Sequence, residues 1–165
     1  MDANLTRAAV RAAEWLRNNH DEDGTYGEGH TNGFVFHALR VVGYNVDYGA
    51  EILHAEIIKQ GGLDSIKGGP LAVYILGVLA TCRDPWQFYG MDLVTPLERK
   101  LDKYPEVGLN HPFQFSLAMI ALCAAGKDVG NWKYVNYIIN NTWSQSTGTA
   151  HASGDTLSMH IFALK

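Results

Sequence analysis

A chain of 165 residues with a formal net charge of −4 is long enough for one domain with a sizeable core. Its 13 basic residues are scattered, which speaks against nucleic acid or an anionic membrane surface as partner. The apolar run inside Gly68–Pro85 is shorter than the roughly 20 residues that a membrane span needs, and the N-terminus is polar by Asp2, unlike a secretory leader.

In chain order, "LTRAAVRAAEWLRNN" puts Leu5, Ala8, Ala9, Ala12, Trp15 and Leu16 on one face of a helix. After an Asp23–Gly27 turn comes the more apolar "HTNGFVFHALRVVG", with Asn32 as candidate N-cap and Gly43 as a C-terminal stop. "YGAEILHAEIIKQ" is amphipathic through Ile52, Ala55 and Ile58. "GGPLAVYILGVLATC" is apolar all round, with Pro70 suited to a first helical turn. "MDLVTPLERKLDKY" carries Leu93, Leu97 and Leu101 on one side. "NHPFQFSLAMIALCAAG" opens on Asn110 and Pro112 and stops at Gly126. "WKYVNYIINNTW" offers Val135, Ile138 and Ile139, and "SGDTLSMHIFALK" opens on Asp155.

The four apolar helices repeat one another. Ala38, Ala80, Ala121 and Ala163 take one position, at steps of 42, 41 and 42 residues. In that register Cys82 matches Cys123, and Gly43 matches Gly126. The expected fold is all-α: one domain over 1–165, built of about four helical hairpins at roughly 5–43, 47–83, 91–126 and 131–165. Apolar helices form an inner layer and amphipathic ones shield it. The pattern leaves a solenoid and a closed α/α toroid both open.

Catalytic signatures are few. There is no Gly-x-Ser-x-Gly elbow, phosphate-cradling loop, HExxH or CxxC. The expectation is a protein that is not an enzyme and holds no metal. His37, His54 and His160 fall within helices. His30, His111 and His151 precede inner helices at one rim, but their spacing follows the repeat and not a zinc motif. The stronger ligand-binding candidates are polar residues near inner-helix starts: Gln114, Asp155, Thr156 and Tyr74, which between them accept and donate hydrogen bonds. Capping explains Asp155 and Thr156 equally well. The aromatic residues Trp86, Phe88, Tyr89, Trp132, Tyr137 and Trp143 fit core packing better than ligand stacking. From spacing alone, Cys82 and Cys123 are as readily two buried free thiols as a disulfide.

"GGPLAVYILGVLATCRDPWQFYGMDLVTPLERKL", "HPFQFSLAMIALCAAGKDV" and the Asp155-Thr156-x-x-Met159 segment resemble the helical domain of the eukaryotic cobalamin-binding protein family, the transcobalamin and intrinsic factor group, over roughly Gly68–Lys165. "AAEWLRNNHDEDGTYGEG" is similar to the wider prenyltransferase and squalene-cyclase repeat class. Both groups are α/α toroids, so the resemblance implies a partial α6/α6 barrel, incomplete at the C-terminus and without the family's closing β-domain. It also implies a Cys82–Cys123 disulfide, an extracellular location, and cobalamin or a related corrinoid as ligand. Gln114, Asp155 and Thr156 fall where the family contacts the corrin, and His111 falls in the region where some members supply a cobalt ligand. Asn4 and Asn140 open potential glycosylation sequons. The competing readings are a protein-interaction module and a lyase- or cyclase-like enzyme on an isoprenoid or polysaccharide. The cyclases' Asp-rich DxDD motif is absent from this sequence. Four hairpins leave a ring open, so Phe34, Phe36, Leu39, Met159, Ile161 and Phe162 are expected to lie partly in water, and self-association or a second chain is expected to complete the toroid.

Overall fold

The computed structural model describes residues 3–27, 29–104, 109, 111–130, 132–142 and 154–164. Eight helices follow one another among them: α1 Ala3–Asn18, α2 Thr31–Val41, α3 Gly49–Lys59, α4 Gly68–Ala80, α5 Val94–Asp102, α6 Pro112–Ala124, α7 Trp132–Thr142 and α8 Gly154–Ala163. No strand occurs among the described residues; an isolated bridge, Phe88 with Met91, closes the turn after α4. The fold class is all-α, as the periodicity predicts.

The even-numbered helices form the inner row, in which α2 packs on α4, α4 on α6 and α6 on α8. The odd-numbered helices cover it: α3 spans α2 and α4, α5 spans α4 and α6, and α7 spans α6 and α8. Helix α4 sits between two inner neighbours under two outer ones. That is why it is apolar all round, with eleven of its residues buried, from Gly68 to Ala80. Helices α2 and α8 do not touch, so the described inner row is open.

Helices α2 and α4 run parallel, and their crossing keeps the register of the repeat. Arg40 Nη2 donates to Cys82 Sγ, 42 residues further on. Near the other end of the same crossing, a Cβ at Gly33 would lie 2.7 Å from the Val73 carbonyl oxygen, and one at Gly77 would lie 2.7 Å from Gly33 Cα. Only hydrogen in place of a side chain lets α2 and α4 approach so closely.

The helix ends correct several expectations. Gly43 and Gly126 take left-handed conformations (φ 93° and 79°) and close α2 and α6 with paired bonds, Tyr44 N–H to Leu39 O and Lys127 N–H to Leu122 O. Cys82, with φ 56°, occupies that same position after α4, where Arg83 N–H bonds Val78 O. Cys82 is therefore the counterpart of Gly43 and Gly126, while Cys123 lies in the last turn of α6. The two cysteines are not equivalent, and the implied disulfide is corrected: both are free, exposed thiols. Their backbones differ in hand, and the Cys82 sulfur is held by Arg40 of α2, on the side of α4 opposite α6. Asn32 is no cap either. It lies inside α2, fully buried. His111 caps α6 instead, its Nδ1 accepting from Phe113 N–H at 3.1 Å; Asn110 lies outside the described residues. Asn4 and Asn140 fall within α1 and α7, whereas sequon acceptors are expected in surface loops.

The open ends are covered unequally. Phe36 and Leu39 are buried, against expectation. The Phe36 ring is flanked edge-on by Tyr26 and Tyr48 from the adjoining loops, and a Cβ at Gly49 would collide with it. Phe34 is 43% exposed, Ile161 62% and Phe162 64%, as expected for edge residues, with Met159 half-buried.

Candidate functional site

The starts of α4 and α6 lie side by side at one rim. Gln114, the third residue of α6, is half-buried there, and its side chain lies against Gly69 in the first turn of α4. Asp155, the second residue of α8, is exposed. Thr156 is 2% exposed and faces inward. His160, one turn further along, hydrogen-bonds the carbonyl of Pro112, the first residue of α6; burial still holds its imidazole below the ordinary histidine range. That contact sets His160, the seventh residue of α8, beside the start of α6. Gln114 and Asp155 each lie in the first turn of their own helix, beside helix-start N–H groups that lack intrahelical partners. A carboxylate accepts hydrogen bonds, a primary amide does both, and helix-start N–H groups donate. This set suits a ligand edged with neutral amides.

The remaining candidates separate from that pair. His111 is exposed, but its Nδ1 is engaged in the α6 cap. As placed, His111 acts as the α6 cap. Tyr74 is buried, and its hydroxyl has no hydrogen-bond partner among the described residues. It borders a cavity of about 180 Å³ with His30, Gln60 and Lys67, between α4 and the end of α3. Burial raises its pKa above the ordinary phenol range, helped by the charge of Glu56. His30, also partly buried, is pushed below the ordinary histidine range. His151 and Trp143 lie outside the described residues. No group of three or more His, Cys, Asp or Glu among the described residues is placed to hold a metal ion.

A second polar centre, missed by the sequence reading, lies where α2 meets α3. Asn32 accepts from Tyr26 N–H at 2.7 Å and donates to Gly27 O at 3.3 Å and to Glu56 Oε1 at 2.7 Å. The preceding turn is internally braced, with Thr25 Oγ1 donating to Asp23 Oδ1 at 2.7 Å and Asp21 N–H to Thr25 O at 2.8 Å. Burial pushes the Glu56 carboxyl up to about 7, opposed by the Asn32 bond and by Lys59. Asp21, Asp23, Glu51, Glu56 and Lys59 line a cleft of about 610 Å³ beside it. The signal available in sequence was one glutamate between Ala55 and Ile57, on a helix otherwise read as plain amphipathic.

Of the aromatic residues read as core packing, Trp132 is 68% exposed, against that expectation; the other described ones make structural contacts. Phe88 is core, Trp86 Nε1 donates to Ala125 O at 2.9 Å, and Tyr137 bonds Tyr104 through their hydroxyls at 2.6 Å. Tyr89 stacks on His54, ring centroids 4.3 Å apart.

With this geometry in place, the sequence matches the family described as eukaryotic cobalamin-binding protein over residues 22–165. The chain belongs to that family. Comparison with curated proteins and with solved structures returns no match. The cobalamin-binding family match extends well before Gly68, where the motif resemblance begins. It takes in the Asp23–Gly27 turn and the Asn32–Glu56 centre, as well as the α6–α8 rim.

Proposed function

We propose that this member of the cobalamin-binding family is an extracellular, non-catalytic binding protein for cobalamin or a related corrinoid, held at the rim formed by the first turns of α6 and α8. The family match over residues 22–165 carries the reading. Gln114 and Asp155 support its placement, since a carboxylate and an amide at helix starts complement the amide groups around a corrin. Thr156, buried beneath Asp155, seats the first turn of α8 against α6 and acts as a positioning residue. Purified protein incubated with cobalamin and desalted is expected to keep the corrin absorption band. A spectrum without that band overturns the reading.

A second role at the open edge is favoured by one observation. Ile161, Phe162 and Leu164 stand 62%, 64% and 47% exposed along α8, the last member of the inner row. A further hairpin, a second chain or a second copy seated there would extend the row toward the partial toroid that the resemblance implies. Sedimentation over a range of concentrations separates self-association from a lone chain.

A further inference from the structure

One position breaks the apolar stripe of α5. Val94, Pro96, Leu97 and Leu101 are buried, and Lys100 is buried with them, only 7% exposed. An ammonium offers three donors and no acceptor. Among the described residues its Nζ reaches a single partner, the Asp64 carbonyl oxygen, at a long 3.4 Å. A lysine stem can lie along apolar surface while its head reaches a polar opening. Here that opening is a depression of about 200 Å³ between α5 and the α3–α4 connection.

Two further cations share it. Arg99 and Lys103 line the same depression, both are exposed, and neither forms an ion pair with a described residue. Among the described wall residues Asp64 supplies the one carboxylate, and the charge of Arg99 also acts on Asp92. Three cations and one carboxylate on the described wall leave an excess of positive charge there, and the most buried cation, cut off from most of its solvent, has one long hydrogen bond. Burying a charge is costly unless it is paired, so a lysine on a buried stripe is the kind of local rule-breaking that marks a site.

The geometry points to a binding site for a small oxyanion, of the phosphate or carboxylate class, held by Lys100 at the floor with Arg99 and Lys103 at the mouth. A guanidinium engages two oxygens side by side and the ammoniums act as point charges. The volume equals that of about seven waters at ~30 Å³ each, enough for such an ion with part of its hydration and far too small for a corrin. The site lies on α5, apart from the α6–α8 rim, and needs no corrinoid. Its failure and that of the cobalamin reading are therefore separate results.

The test is a titration of the corrinoid-free protein with inorganic phosphate and, separately, with acetate in chloride buffer, following backbone amide resonances by NMR. Saturable shifts are expected around Asp64 and along 96–103. Saturation by phosphate at much lower concentration assigns the phosphate class, and comparable saturation by acetate assigns carboxylates. Lys100→Met keeps the stem and removes the charge, and is expected to weaken binding at least about tenfold. Lys103→Gln, at an exposed position, is expected to weaken it about threefold and carries the test should Lys100→Met not fold. Shifts that do not saturate with either anion, or that saturate alike in wild type and the folded variants, overturn the site.

Discussion

Asn32 Nδ2 donates to Glu56 Oε1 at 2.7 Å across 24 residues of chain. The bond joins the first inner helix to the outer helix α3, and the same asparagine holds Tyr26 and Gly27 of the preceding turn. The second carboxylate oxygen of Glu56 is buried without a hydrogen-bond partner among the described residues. One side chain thus fixes a turn, a helix and its cover, next to an acid that is poorly solvated.

That acid gives a pH dependence. The folded-state pKa of Glu56 is about 7, raised from 4.5 chiefly by burial. Between those values the folded chain holds a proton that the unfolded chain has lost. Its contribution to stability is therefore present in full below about 4.5, falls as pH rises through about 7, and is flat above. Allowing for partial solvent exposure, the change is on the order of 1–2 kcal/mol. His30 and His160, both depressed by burial, slope the opposite way over the histidine range. The measurement is accordingly a difference: urea unfolding of wild type and Glu56→Gln across this window. The variant should gain relative to wild type as pH rises. Parallel pH profiles would contradict the assignment.

Gly33→Ala should destabilise the protein by about 1–3 kcal/mol. An alanine favours a helix interior by roughly 1 kcal/mol over glycine, but here its Cβ would stand 2.7 Å from the Val73 carbonyl. Chemical denaturation reads the sign directly. A stabilised Gly33→Ala would mean that α2 and α4 cross at greater distance.

Asp155→Ala should weaken cobalamin retention about tenfold or more, the scale of a lost hydrogen bond to a charged group. The loss of a favourable first-turn carboxylate should lower unfolding stability by less than about 1 kcal/mol. Binding titrations beside thermal melts distinguish the two. Unchanged affinity with a lowered melting point would leave Asp155 a helix-start residue and nothing more.

Both cysteines should react with a thiol reagent in the folded, unreduced protein, because both are free and exposed. Cys82→Gly should be stabilising by up to about 1 kcal/mol, since glycine takes the left-handed conformation without a Cβ penalty. Mass spectrometry after alkylation counts the thiols; finding none accessible would restore the bridge.

The repeat was legible because an inner helix buried on both flanks must be apolar all round, so the alanines at 42-residue intervals announce the row. The helix ends were less so. The inner helices differ in where they stop, and aligning Ala80 with Ala121 hid that Cys82, beyond its helix, corresponds to Gly126. Asn32 was read as a cap because capping and long-range bonding use the same amide, and only the fold shows which bond forms. The positions of Gln114 and Asp155 at helix starts followed from the repeat. The inward turn of Thr156 and the facing of Tyr74 did not, because a helix without a polar side carries no mark of its rotation. Phe36 and Leu39 were read as exposed because the cover from Tyr26 and Tyr48 comes from loops, whose path the periodicity does not encode.

In the inner row each helix leans only on the next, with no contact between α2 and α8 to close it. Such an array has no single all-or-none centre; it opens from its ends, like a zipper with two sliders. Amide protons of α4, flanked on both sides, should exchange with solvent last, and those of α8, flanked on one, should exchange early. Whatever seats against α8 would then act at a distance, raising the protection of helices that it never touches.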